Sequence, residues 1–227
     1  GEDSKIRSFK LMGSYTNMHR LSDNCLENLW ISGGINLMTK SGWSVMASYF
    51  HMKEGVANDF NLSADAVVPK GMYSYQNVFS MISTPFTKPL VFEFTINGGQ
   101  FYDGTRASFM TEPTLNLSSS FQLGGSYSFN RVEFDSRNQS FTSHLAKIKA
   151  MYMYNTKLSI SSFIQYNSLS KVMIGNIRLR YNPREGNDFF LVYNETKPTS
   201  NYSFGDVPEV GFFSRMILLK YVHTFKI

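Results

Sequence analysis

The chain has 227 residues and a net charge of +5, with a charged fraction of only 17% and an aromatic fraction of 15%. Soluble domains usually carry about a quarter of charged residues, so this composition indicates much amphipathic strand and little solvated helix. The lysines and arginines are scattered singly, which excludes a basic run for binding nucleic acid. A single cysteine, Cys25, excludes an internal disulfide and a thiolate metal site. No run approaches the roughly 20 apolar residues that a membrane helix needs.

Apolar and polar residues alternate with a period of two along most of the chain. Phe121, Leu123 and Tyr127 fall on one face of their segment, whereas Gln122 and Ser126 fall on the other. The pattern predicts about twelve strands of roughly 10–15 residues, the length with which a tilted strand crosses a bilayer. The predicted strands span residues 5–18, 28–40, 43–53, 71–84, 89–102, 105–116, 120–132, 139–154, 156–168, 171–182, 187–196 and 212–227.

Long and short connections alternate between these predicted strands, with modest exceptions at residues 102–105 and 167–171. The long ones cover residues 19–27, 53–70, 131–138 and 197–211. Outer-membrane barrels have short periplasmic turns and longer outer loops. We therefore predict an all-β fold, an antiparallel transmembrane up-and-down β-barrel that forms a single domain over residues 1–227. Both chain ends are expected on the periplasmic side, and the visible strands are either the whole barrel or part of a larger one.

Polar side chains fall on the strand face opposite the apolar series, which predicts that they line the lumen. The candidate lumen-lining residues are Glu93, Gln122, Lys147, Lys149, Gln165, Arg178, Arg180 and Lys220. Two interpretations of the cations stay open. They favour anions in a pore, or, as is more common, they pair with acids such as Glu93 and Glu112 and fill the interior.

Aromatic residues near the strand ends predict the girdles that such barrels place at the membrane interfaces. The last strand ends the chain in an alternating pattern that contains Tyr221 and Phe225. This ending resembles the C-terminal signal that barrel-assembly machinery recognises, although Lys226 and Ile227 follow the terminal aromatic residue.

The four histidines, His19, His51, His144 and His223, do not have metal-ligand spacing. Asp103 belongs to a Tyr-Asp-Gly hairpin turn signal and is not expected to be a catalytic acid. The sequence therefore predicts no catalytic residues, no metal and no cofactor. The expectation is that the chain is not an enzyme.

Several segments resemble a family of Bacteroidota proteins that carry an N-terminal carbohydrate-binding module of family 9 and a C-terminal domain of unknown function numbered 5916. The resemblance lies in residues 130–132 with 137–145, in residues 155–168 and 178–195, and in the ending 217–221, and it is firm over residues 85–227. It implies an outer-membrane location and a longer protein, with an N-terminal module and further strands outside this chain. It supplies no catalytic residues.

We expect an outer-membrane barrel that acts as the anchor, subunit or porin-like pore of an envelope complex for nutrient or glycan handling or for secretion and assembly. The expected partners are the lipid bilayer with its lipopolysaccharide, the barrel-assembly machinery and other envelope proteins, and not nucleic acid. The chain opens on polar residues, so an exported form is expected to be mature or truncated. Two alternatives stay open: an outer-membrane enzyme whose catalytic or glycan-binding module lies outside this chain, and a soluble lipid-binding barrel.

Overall fold

A computed structural model describes residues 4–22, 24–199 and 213–224. These residues form fourteen β-strands and one short 3-10 turn at Asp135–Arg137. The strands are β1 (Ile6–His19), β2 (Leu26–Thr39), β3 (Ser44–Val56), β4 (Phe60–Ser63), β5 (Ala66–Val68), β6 (Gly71–Ser83), β7 (Leu90–Phe101), β8 (Gly104–Asn116), β9 (Phe121–Phe134), β10 (Gln139–Met153), β11 (Leu158–Asn167), β12 (Val172–Arg184), β13 (Asn187–Pro198) and β14 (Ser214–His223). Within the described ranges, no helix is long and apolar enough to span a membrane.

Twelve of these strands form one sheet in the order β1-β2-β3-β6-β7-β8-β9-β10-β11-β12-β13-β14. Each strand of this sheet lies next to the sheet strands that precede and follow it along the chain. The registered pairs are antiparallel, for example β1 with β2 and β13 with β14. The predicted fold class, an all-β antiparallel up-and-down arrangement with about twelve strands, is confirmed. The twelve predicted strands all occur, and most of their bounds agree within a few residues.

The long connection predicted over residues 53–70 begins three residues later than expected and contains two short strands. Strand β3 continues to Val56, and the strands β4 and β5 pair as a small separate hairpin. Each of these two strands has only three or four residues, which is too short for alternation to distinguish a strand from a loop. Burial of Ala66 and Val68 holds the hairpin in place, and that contact involves residues distant in sequence.

The chain divides into two compact units. The first comprises Gly1–Thr111 with Ser128–Ser143, and the second comprises Glu112–Tyr127 with His144–Ile227. Within each unit, directly opposite residues of paired antiparallel strands project to the same face, so the register defines an apolar face and a polar face.

The apolar face of the first unit continues from strand to strand, as in the row Phe9–Leu37–Val45–Ile82–Phe94. The apolar face of the second unit does the same in the row Tyr152–Ile160–Leu179–Leu191–Leu219. Large side chains on these faces are exposed, for example Leu11 on the first and Leu219 on the second, each 75% exposed.

The buried core is small and lies in the first unit. It consists of Val56, Ala66, Val68, Val132 and Phe134. It is located where the hairpin of β4 and β5 meets the ends of β3 and β9. In the described residues, only eight hydrophobic side chains are buried whereas forty large ones are exposed. A soluble protein would reverse that ratio, since apolar burial is its main source of stability.

Phe134→Ala is expected to lower the free energy of unfolding by about 3–5 kcal/mol, because it leaves a cavity in the only sizeable core of the described residues. Phe86→Ala is the matched control. Its ring is 83% exposed between β6 and β7, so a change below about 0.5 kcal/mol is expected. Urea unfolding in detergent, followed by tryptophan fluorescence, measures both. Equal losses would contradict the assigned core.

Candidate functional site on the polar face of the sheet

Five cations share the polar face of the second unit. The register aligns Lys147 with Gln165 on the neighbouring strand and Lys149 with Phe163. Two strands further along, Arg180 is opposite Phe190, which is opposite Lys220. Together with Arg178, which shares this face, we call Lys147, Lys149, Arg178, Arg180 and Lys220 the cationic face.

The cationic face has little compensating negative charge. Arg180 is the member with a carboxylate partner, since its Nε lies 2.6 Å from Oδ1 of Asp188, and Asn182 also donates to that oxygen at 3.1 Å. Within the described residues, Lys147, Lys149, Arg178 and Lys220 make no ion pair or side-chain hydrogen bond. Their charges are therefore compensated by solvent, and clustered exposed cations of one sign attract anions.

Glu112, one of the acids expected to neutralise these cations, makes no ion pair in the part of the chain that the structure describes. Glu93 belongs to the first unit, where it is opposite Ser83 on the polar face of β6 and β7. Asn176 and Asn194 hydrogen-bond to each other. They lie in the row of paired residues that runs across the strands from Lys149 through Phe163 to Met216. Within the described residues, neither Glu93 nor Glu112 forms an ion pair with a member of the cationic face.

The structure also locates three of the four remaining residues that were predicted from sequence. Gln165 is beside Lys147 on the cationic face. Gln122 donates its amide to Oδ1 of Asn116 at 2.8 Å, near the turn between β8 and β9. Tyr221 lies on the apolar face, where its hydroxyl donates to Oδ1 of Asn187 at 2.9 Å. Phe225, the other residue of the predicted assembly signal, lies outside the described residues.

A second polar cluster lies on the polar face of the first unit. We call Glu54, Tyr75, Tyr102 and Arg106 the hairpin site, because the hairpin of β4 and β5 lies against it. The Glu54 carboxylate accepts hydrogen bonds from the hydroxyls of Tyr75 at 2.8 Å and Tyr102 at 3.2 Å. The ring of Phe60, on the hairpin, meets the Tyr102 ring edge-on at 5.9 Å.

Arg106 completes this cluster. Its Nη2 donates to Oδ1 of Asn97 at 3.0 Å, and its guanidinium lies 4.6 Å above the ring of Phe101. Its Nε is buried and has no hydrogen-bond partner within the described residues. In this site the Glu54 carboxylate accepts two hydrogen bonds, whereas the Arg106 guanidinium lacks a partner for Nε within the described residues. The site contains no nucleophile with an adjacent base.

Further contacts fix the hairpin over the polar face. The Tyr73 hydroxyl donates to the carbonyl of Pro69 at 2.7 Å, and the backbone N–H of Val67 donates to Oε1 of Gln139 at 3.3 Å. Asp103, in the turn between β7 and β8, forms an ion pair with Arg137. Asp103 thus has the structural role that its turn motif predicts.

Sequence analysis did not identify the hairpin site. The alternation predicts that Glu54 lies in the connection between two strands. It also predicts that Tyr102 and Arg106 lie at strand ends, with no indication that they meet Glu54. The proximity of these residues depends on pairing between β3 and β6, and on a turn in which Tyr102 has a φ of 52°. The residue types carried a weak signal, since a Glu among several Tyr residues suggests hydrogen-bonded burial.

The described residues contain no group of three or more His, Cys, Asp and Glu side chains placed to hold a metal ion. His144 uses Nδ1 to form a 2.7 Å hydrogen bond with the Tyr127 hydroxyl. His223 similarly contacts Oδ1 of Asn187.

Comparisons with known proteins give one structural likeness. A crystal structure of a mutant ferric enterobactin receptor from Pseudomonas aeruginosa matches with a TM-score of 0.48 at 10% identity, covering 83% of this chain and 39% of the receptor chain. No protein-family model and no curated protein matches the sequence.

The pKa of Tyr102 is raised from 10.0 to about 12 by burial, by the negative charge of Glu54 and by the hydrogen bond to that carboxylate. A raised folded-state pKa means that the fold favours the neutral phenol. This stabilisation is present below the unfolded pKa of Tyr102 and is lost as the pH rises through its folded pKa.

Glu54→Gln is expected to return the pKa of Tyr102 towards 10.0, because the amide still accepts a hydrogen bond but carries no charge. Tyrosinate absorbance, measured against a Tyr102→Phe counterpart in each background, isolates this residue. Glu93→Gln makes the same chemical change elsewhere on the polar face. If it lowers the pKa of Tyr102 as much, the Glu54 contact is not the cause.

Proposed function

We propose that the chain is an outer-membrane β-barrel, or part of one, whose apolar faces contact lipid and whose polar face lines an interior that attracts anions. The observation that carries the proposal is the register, which collects exposed apolar side chains on one face of each unit and places Glu93 and the cationic face on the other. In β14, Ile217 and Leu219 belong to the apolar face, whereas Leu218 and Lys220 belong to the polar face. A surface of this kind is expensive in water and favourable in a bilayer.

The ends of the apolar face in the second unit support the proposal. Tyr181, Phe189 and Tyr221 form a row beside the turn between β12 and β13, with the last two rings 4.6 Å apart. Six residues along β13, Glu195 and Arg215 form an ion pair at the opposite end. Six strand residues span ~20 Å, which is close to the ~25 Å apolar band of membrane barrels with an aromatic girdle at its border.

A bilayer demands that every backbone polar group be hydrogen-bonded, which only a closed sheet achieves. The proposal therefore requires that β1 and β14, the first and last strands of the order, pair with each other or with further strands. The resemblance to the longer Bacteroidota proteins favours further strands outside this chain. It also supports a role as the membrane anchor or subunit of an envelope complex whose other modules are periplasmic.

An anion-attracting passage is the activity that the cationic face supports best. In the part of the chain that the structure describes, four of its five cations have no ion pair and Arg180 pairs with a carboxylate. The hairpin site lies on the polar face of the first unit, where the buried core holds the hairpin of β4 and β5 in place. The solutes favoured by such a surface carry carboxylate or phosphate groups. We propose no enzymatic activity for this chain.

The first test compares Leu219→Arg with Leu218→Arg. Leu219 lies mid-strand on the apolar face and Leu218 on the polar face, and both are exposed leucines. Arginine at position 219 is expected to cost roughly 2–4 kcal/mol and to reduce insertion into lipid vesicles, whereas arginine at position 218 is tolerated. Heat-modifiable gel mobility after refolding with vesicles measures the inserted fraction. Equal tolerance of both variants in a water-soluble monomer would refute the membrane assignment.

The second test concerns ion selectivity. Replacing Lys147, Lys149, Arg178 and Lys220 together with Gln is expected to shift the reversal potential of bilayer channels from anion towards cation preference, because the interior loses its solvated positive charges. Lys53→Gln is the control, since Lys53 shares the apolar face of β3. Channels whose selectivity does not change would contradict the passage. Absence of conductance from inserted protein would leave the anchor role alone.

A further inference from the structure

The apolar face of the second unit contains a groove. It has a volume of about 290 Å³ and is bounded by Ile164, Met173, Ile177 and Tyr193, with Gly175 as its floor. A Cβ atom added to Gly175 would meet nothing within 4 Å. The groove therefore exists because a glycine interrupts an otherwise apolar surface, and it is wide enough for a larger side chain or a ligand chain.

One end of the groove carries charge. Glu195 and Lys197 line it, and Arg215 is opposite Glu195 on the next strand. Glu195 accepts hydrogen bonds from Nε of Arg215 at 2.9 Å and from the Tyr193 hydroxyl at 3.0 Å. Arg215 also lies over the ring of Phe213, with 4.8 Å between guanidinium carbon and ring centroid.

The cations at this end retain binding capacity. Arg215 uses Nε for Glu195, and its side chain is 61% exposed. Its two terminal nitrogens make no hydrogen bond within the described residues, and neither does Lys197. With one carboxylate against two cations, the groove end has an excess of one positive charge. An exposed guanidinium beside an ammonium is the arrangement that binds phosphate.

We propose that this groove binds a phosphorylated lipid, with an acyl chain over Gly175 and a phosphate on Lys197 and Arg215. The inference rests on the proposed membrane location. The charged end adjoins the connection between β13 and β14, one of the longer connections, which that location places outside the cell. The lipid expected there is the phosphorylated glycolipid of the outer leaflet, lipid A, whose phosphates complement the positive end.

Charge complementarity distinguishes this occupant from a zwitterionic lipid. A phosphatidylethanolamine headgroup carries its own ammonium group, which would adjoin Lys197 without a further carboxylate. The two phosphates of lipid A add negative charge and no cation. Direct hydrogen bonds to phosphate are also roughly twice as strong as neutral ones.

The test uses the detergent-solubilised full chain with diphosphoryl lipid A, and native mass spectrometry reports the bound fraction. Gly175→Leu fills the groove and is expected to reduce lipid A binding about tenfold. Gly33→Leu is the matched control. Gly33 lies on the apolar face of the first unit, and a Cβ there also meets nothing within 4 Å. Its lipid A binding should not change.

A double variant tests the contacts to the headgroup. The double variant Lys197→Gln, Arg215→Gln is expected to reduce diphosphoryl lipid A binding about tenfold and to change phosphatidylethanolamine binding little, since the ammonium group of that headgroup already neutralises its single phosphate. Equal losses for both lipids would overturn the headgroup assignment. Unchanged lipid A binding in Gly175→Leu would overturn the groove assignment.

These failures are distinguishable from failure of the membrane proposal. Every variant is first checked for heat-modifiable mobility and insertion into vesicles. If Gly175→Leu and the Lys197→Gln, Arg215→Gln double variant insert normally but bind lipid A like the unmodified chain, the lipid site alone is refuted. If the unmodified chain does not insert, the membrane location itself is wrong.

Discussion

The pairing register of the antiparallel strands is the constraint on which the other features depend. Side chains alternate faces with a period of two, so a slip by one residue would move the whole apolar series of a strand to the other face. With Leu191 opposite Leu219, the register also places Phe190 opposite Lys220 on the other face. A one-residue slip of β14 would place Lys220 among the exposed leucines. Position on the sheet thus decides which side chains join the apolar surface and where the members of the cationic face collect.

Short turns hold that register without help from a conventional core. The turn between β12 and β13 is reduced to Glu185 and Gly186, and the φ of +82° at Gly186 suits a glycine. Buried hydrophobic residues concentrate instead around Phe134 and the hairpin of β4 and β5. Hydrogen bonding between strands, and not side-chain burial, therefore organises most of the described chain. Such a sheet needs an apolar surrounding to stabilise its outward side chains.

The strands could be predicted from sequence because alternation is a local property, and segments such as 121–130 express it without exception. The joint position of Lys147, Lys149, Arg178, Arg180 and Lys220 followed from the same alternation. Their exposure to solvent did not, since it depends on which carboxylates are within reach, and among the described residues Asp188 is the one that pairs with them. The hairpin site was also beyond prediction, because Glu54 and Tyr102 are separated by 48 positions and meet through tertiary packing.

Charged side chains have different surroundings on the two faces of the second unit. On the polar face, cations such as Lys149 and Arg178 have no ion pair in the described part of the chain, since water can solvate them. On the apolar face, Arg215 and Glu195 pair with each other, which offsets the cost of placing either charge among apolar side chains. Lys197 shares that face and forms no ion pair within the described residues. A cation in that position attracts an anionic group of another molecule, and the adjacent groove accepts an apolar group of that molecule.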